Sequence, residues 1–162
     1  MEDTVNVKPM PIRKAEKTDL AELQVLSALL DSYRSKNFST TTEKFHDRKN
    51  ARPSFIASDF DGSIILVSVN EDEKIVGFIR GSVEERKEHV LSKLGHIEEF
   101  YVIDEVRGTG VATNLFKALE ADFKIIGCNL LTTHTDFENE LSQKFYVKAG
   151  MIPATVELWK EL

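Results

Sequence analysis

The stretch Val102-Ile103-Asp104-Glu105-Val106-Arg107-Gly108-Thr109-Gly110-Val111-Ala112-Thr113 joins a β-branched, aromatic run to a run with helical spacing, and two glycines sit at the junction. Upstream, residues 96–103 have strand character. Downstream, Val111, Leu115, Leu119, Phe123 and Ile126 mark one side of a helix that Gly127 is placed to close. Two closely spaced glycines allow a tight turn and a close backbone approach. The first turn of the helix offers unpaired N–H groups at the positive end of its dipole. Together they form an anion cradle suited to a diphosphate. Alone, a glycine-bearing strand-to-helix connection is a weak signal that a ligand-free fold carries equally well. A dinucleotide fingerprint is disfavoured, because Gly108-x-Gly110-x-x-Thr113 lacks the third glycine and lies deep in the chain.

Working outward, residues 63–69 and 74–81 are β-branched runs flanking residues 70–73, which predicts an antiparallel hairpin. A charged connection, 84–89, leads to the strand at 96–103 and completes a meander. Residues 129–133 follow the helix with strand character, and strand-helix-strand order requires a parallel crossover. Nearer the start, residues 11–15 suit a brief edge strand. Leu20, Leu23, Leu26, Leu30 and Tyr33 predict a helix to about Arg34, with Thr18 or Asp19 as N-cap and Glu22 completing a capping pattern. Residues 35–61 read as a loop with one more short helix, a segment suited to covering a substrate. Thr135 and Glu138 predict a capping box opening a helix that ends at Gly150, and residues 154–159 predict a last strand. The fold class expected is α+β, a central, mixed, mostly antiparallel sheet flanked by helices. One domain spans 1–162, with 1–10 a flexible tail.

The 162 residues carry 41% hydrophobic and 30% charged side chains, a globular composition, with a formal net charge of -6. Such a balance argues against a broad grip on nucleic acid, so an anionic ligand must be held locally. It suits a cationic substrate, although most of it serves solubility. The single cysteine, Cys128, excludes an internal disulfide and a multi-cysteine metal site. The longest apolar run, 64–67, is too short for a membrane span, and a cytoplasmic setting is expected.

Arg107-Gly108-Thr109-Gly110-Val111-Ala112 resembles the R/Q-x-x-G-x-G/A signature of the GNAT acetyltransferase superfamily. Some thirty residues on, 139–151 is similar to that family's N-x-x-A-x-x-F-Y-x-x-x-G-F segment, with Ser142 and Met151 in place of Ala and Phe. The likeness extends over nearly the whole chain. It implies the GNAT fold, with a parallel strand pair splayed at the cofactor site. It also implies acetyl-CoA as donor, no metal, and direct transfer to a primary amine without a covalent intermediate, so Cys128 is not a nucleophile. The pantetheine arm would pair with the backbone of Phe100, Tyr101 and Val102. The diphosphate would lie on Arg107, Gly108, Thr109, Gly110, Val111, Ala112 and Thr113, with Asn139 and Tyr146 completing the cofactor contacts. A bulge in the first splayed strand would free an N–H for the oxyanion of the tetrahedral intermediate.

Transfer to an amine needs one group to take a proton from the ammonium and another to give one to the thiolate. Tyr146 stands at the family's tyrosine position and resembles its general acid; a phenol with a pKa of about 10 suits that step. The plain alternative is packing with Phe145. For the base, Glu98 comes first and Glu99 and His96 follow. Strand alternation puts His96 and Glu98 on one face and Glu99 on the other unless a bulge resets the register. Glu98 and Glu99 are also the candidates for holding the amine. Residues 95–102 are similar to the matching strand of glucosamine-6-phosphate and polyamine acetyltransferases. A small cationic amine is therefore the preferred acceptor, with a protein amino terminus or lysine second. The reading from another class is a non-catalytic acyl-CoA-binding regulatory module, which would keep the turn and lack the proton-handling residues. A homodimer is compatible with the family. His134 and Asp136 receive no role beyond caps and loop polarity.

Overall fold

The computed structural model describes residues 9–38, 55–158 and 160. In chain order the elements are β1 (Ile12–Lys14), α1 (Leu20–Asn37), a short α2 (Asp59–Gly62), β2 (Ile64–Val69), β3 (Ile75–Glu85), β4 (Lys93–Val102), α3 (Val111–Ile126), β5 (Leu130–Thr133) and α4 (Glu140–Lys148). The sheet runs β1-β2-β3-β4-β5, antiparallel except for the parallel pair β4 and β5. The mixed α+β sheet expected from the sequence is present, with β1 at its edge.

Strand alternation sends successive side chains to opposite faces, and each face has its own core. On one, Ile65, Val67, Val69, Ile75 and Phe78 pack with Leu23 and Leu26 of α1 and with Phe55. On the other, Leu66, Ile79, Ile97 and Val102 pack with Val111, Leu115, Phe116, Leu119 and Phe123 of α3. Gly127 caps α3, its N–H bonded to the Lys124 carbonyl. Among the described residues no helix is long and apolar enough to cross a membrane.

Several local expectations yield to tertiary bonds. Asp19 does not cap α1 with its side chain; its carboxylate takes the Arg13 guanidinium at 2.7 and 2.9 Å and the Glu16 N–H at 2.7 Å. Glu22 accepts the Ile75 N–H at 3.0 Å instead of closing a capping box. The helix expected from Thr135 begins at Glu140, because Asn139 caps it by accepting the Ser142 N–H at 3.1 Å. Asp136 is drawn to Arg34, 3.3 Å away. The hairpin strand expected to end at Gly81 runs on to Glu85. The last strand does not form over residues 154–158, where Val156 and Leu158 are exposed. Alternating sequence makes a strand only where an edge accepts its backbone, and none of the described strands does. Residue 159, most of the 1–10 tail and most of the 35–61 segment lie outside the described residues; α2 is the short helix expected within the latter.

Phe123 packs flat on the sheet because β4 and β3 offer glycines beneath it. A Cβ at Gly95 would stand 2.7 Å from the Phe123 ring, and one at Gly81 would stand 2.6 Å from its edge. Gly95→Ala is therefore expected to destabilise the protein by about 1–3 kcal/mol through overpacking. In urea unfolding, Phe123→Leu should recover part of that loss in the double variant; an unshifted midpoint for Gly95→Ala would refute the packing account.

Candidate functional site

Parallel pairing runs from Leu94 opposite Leu130 to Ile97 opposite Thr133, where β5 ends. β4 continues to Val102 held by β3 alone. The Ile103 N–H donates to the Val76 carbonyl at 3.0 Å, so by alternation the backbone of Tyr101 and Glu99 also faces β3. Phe100 and Val102 consequently turn their main-chain groups to the open edge. The Val102 carbonyl already accepts Arg107 Nε there at 3.1 Å. Of the three positions expected to pair with the pantetheine arm, Phe100 and Val102 turn their main-chain groups to this edge, and those of Tyr101 face β3.

The pairing of β3 with β4 slips once: Arg80 faces Glu99, whereas Gly81 faces Ile97, leaving Glu98 as an extra residue in β4. The cores record the same slip. Ile97 and Val102 lie on one face although an uninterrupted strand would put them on opposite faces. Glu98 and Glu99 thus reach one side of the sheet together. Arg80 Nε stands 3.0 Å from Glu98, an ion contact rather than an aligned hydrogen bond, and Arg80 Nη2 stands 3.1 Å from Glu99. The same guanidinium lies 3.3 Å from Asp59 and 4.8 Å above the Phe55 ring. Glu99 also accepts the Ser27 hydroxyl at 3.0 Å. Burial pushes the Glu99 carboxyl above its ordinary pKa, with Arg80 and Ser27 opposing. Glu98 remains exposed.

Beyond β4 the chain makes a 3-10 turn, Asp104–Val106, and enters α3 through Gly108 and Gly110 at φ of 80° and 92°. A side chain is strained in that left-handed region, so the glycines set the turn. Thr109 folds back, its hydroxyl donating to the Val106 carbonyl at 2.7 Å. Residues 107–110 are exposed. The first amide of the helix to find a carbonyl is Asn114, bonded to Gly110 at 3.0 Å. Those of Val111, Ala112 and Thr113 meet none among the described residues, and they point outward at the dipole's positive end. Arg107 is engaged at the end of β4. Besides its bond to Val102 it stands 2.7 Å from Asp104, with its guanidinium 5.0 Å from the Tyr33 ring and 5.7 Å from the Tyr101 ring.

Opposite the fork, α4 carries Tyr146, half-buried beside Phe145 and Phe116 with ring centroids 5.4 and 6.2 Å away. Burial raises the Tyr146 pKa, against a hydrogen bond with the Thr133 side chain. Thr133 Oγ1 donates to the Ile97 carbonyl at 3.2 Å, at the point where β4 and β5 part. Asn139 is committed to capping α4 through its side-chain oxygen. His96 Nδ1 is 2.9 Å from Thr132 Oγ1, its ring 5.1 Å from that of His134; burial and then His134 hold its pKa down. Among the described residues no group of three His, Cys, Asp or Glu side chains could hold a metal ion.

Sequence reasoning missed Arg80, Asp59 and Ser27. The available signal was Arg80 itself, a lone charge in the apolar run 75–81 that must find partners once that strand is covered.

Residues 24–151 match the model of the acetyltransferase (GNAT) family. An N-acetyltransferase of uncharacterised role from Archaeoglobus fulgidus is 34% identical over 117 residues, 68% of this chain and 72% of that one. Another from Methanocaldococcus jannaschii is 35% identical over 80 residues, 49% of this chain, and the match spans about half, 47%, of that protein's length. A Bacillus halodurans protein superposes with a TM-score of 0.79 at 22% identity, covering 94% of this chain and 99% of its own. An aminoglycoside N-acetyltransferase solved with CoA superposes with a TM-score of 0.67 at 19% identity, covering 94% and 99%.

The raised pKa of Tyr146 has a consequence for stability. Above about pH 10 the unfolded phenol loses its proton while the folded one keeps it. Unfolding then releases a proton, and stability falls as pH rises, by up to about 1.4 kcal/mol per pH unit for each retained proton. Tyr101, raised first by burial, adds to the slope. Urea midpoints measured at about pH 9 to 11 should decline less steeply for Tyr146→Phe than for the unsubstituted protein; parallel declines would refute the cause given.

Proposed function

This chain belongs to the GNAT acetyltransferase family, and from that premise we propose that it moves an acetyl group from acetyl-CoA to a primary amine by direct attack. The observation that carries the reading is the exposed amide cradle at the start of α3, which adjoins the unpaired edge of β4. A diphosphate on Gly108, Gly110, Val111, Ala112 and Thr113 would leave the pantetheine arm to run along the edge at Val102 and Phe100, bringing the thioester to the fork between β4 and β5. Arg107 shapes this turn and the end of β4 rather than neutralising phosphate. Asn139 acts indirectly, by fixing α4.

At the fork the proton traffic has two ends. The amine must be neutral to attack the thioester carbonyl, and Glu98, the exposed carboxylate at the bulge, accepts its proton directly or through water. The tetrahedral oxyanion is held by a bulge N–H. As the C–S bond breaks, Tyr146 gives its proton to the departing thiolate, and the second proton shed by the acylated nitrogen returns to the phenolate through water; a phenol kept protonated by burial is suited to this task. Among the described residues three carboxylates, Asp59, Glu98 and Glu99, lie within 3.3 Å of the Arg80 guanidinium, a local excess of negative charge. That supports a small cationic amine as the acceptor. Glu99, half-buried and bonded to Ser27, contributes charge rather than contact.

A thiol-release assay against a panel of small amines, amino sugars and peptides tests the reading. Tyr146→Phe is expected to lower kcat about 10²- to 10⁴-fold with the KM for acetyl-CoA little changed. An unchanged kcat would remove Tyr146 as the acid. Binding of CoA without turnover on any amine would instead support a regulatory acyl-CoA-binding module.

A further inference from the structure

We infer that Arg80 is a positioning residue that pins the β4 bulge in register, and through it the geometry of transfer. In a regular strand Glu98 and Glu99 would point to opposite faces. Here one planar guanidinium faces both, with separate nitrogens 3.0 Å from Glu98 and 3.1 Å from Glu99. Only the bulged register brings both carboxylates to that fork, since the slip lies between Arg80 and Gly81. Shifting β4 back by one residue would send one of the two carboxylates away from the arginine and turn it to the α3 face. The arginine is itself held: its side chain is 14% exposed, covered by the Phe55 ring and paired with Asp59 from α2. The bulge lies immediately after Ile97, the last β4 residue paired with β5. The register Arg80 holds therefore decides which β4 amide faces the fork.

The inference rests on the acetyl-transfer reading for its kinetic arm, and its structural arm stands apart from it. Arg80→Met removes the fork but also leaves Glu99 enclosed without its cation, so it is expected to unfold more readily. The informative variant is the double Arg80→Met, Glu99→Gln, compared with Glu99→Gln alone. Neutralising Glu99 relieves that electrostatic penalty, whereas the register remains unpinned. We expect the double variant to unfold at a urea midpoint close to that of Glu99→Gln, with kcat at least tenfold lower, an unchanged KM for acetyl-CoA, and amide hydrogen exchange at residues 97–100 at least tenfold faster. Arg80→Lys keeps the charge without the fork and should fall between. Recovery of kcat together with stability in the double variant would overturn the inference, leaving Arg80 as a counter-charge for Glu99. So would full activity in Arg80→Lys if the double variant does not fold. Should the unsubstituted protein acetylate no amine, the transfer reading fails, and the exchange measurement still decides for or against the pin.

Discussion

β4 is hydrogen-bonded along both edges as far as Ile97 and along one edge thereafter, and the remaining features of the site follow from that change. A central strand with two partners has no main-chain group to spare. By losing β5 after Thr133, β4 keeps its place in the sheet through β3 and gains an edge without a strand partner at Phe100 and Val102, where Arg107 takes the Val102 carbonyl. An extended ligand with amide groups of its own is the natural partner for such an edge. The fork opens beside the turn at Gly108 and Gly110, because the strand that splays is the one that feeds α3.

The two faces of the sheet divide the chemistry. On the α3 face, Phe100, Phe145 and Phe116 pack edge to face at 5.5 and 5.8 Å, and α4 is seated by them with Tyr146 at the fork. On the α1 face, charge is concentrated around Arg80. A largely enclosed ion pair of this kind is weak evidence of stabilisation, since desolvating the two charges offsets most of their attraction. The upward push on Glu99 is that cost made visible. What such a cluster supplies is direction: the carboxylates cannot separate without leaving the guanidinium. The bulge couples the two faces: a register slip of one residue keeps Ile97 and Val102 on the α3 face while turning Glu98 and Glu99 together toward Arg80.

Most of the architecture was legible in the sequence because it is written in local period and punctuation. The meander follows from β-branched runs, α3 from its apolar spacing, and the turn from Gly108 and Gly110, where backbone conformation depends on glycine. The failures share one cause, competition from partners distant in sequence. Asp19, Glu22 and Asp136 were assigned local roles and are engaged by Arg13, Ile75 and Arg34. The alternating residues beyond Ile152 read as a strand, but an edge to receive them is a tertiary property. Arg107 fits a phosphate ligand by motif, and its place over the Tyr33 ring is a contact that only the tertiary fold supplies. The faces of Glu98 and Glu99 turned on a bulge whose position is fixed by a residue in another strand, so alternation alone left that question open.

On the proposed function, main-chain amides at the start of α3 hold the diphosphate of coenzyme A. Amide chemical shifts of the isotopically labelled protein, followed as CoA is added, test it most directly. Saturable shifts are expected to be largest at Gly108, Gly110, Val111, Ala112 and Thr113, with smaller ones at Phe100 and Val102. Binding that leaves those amides unmoved while shifting another surface of the molecule would contradict it.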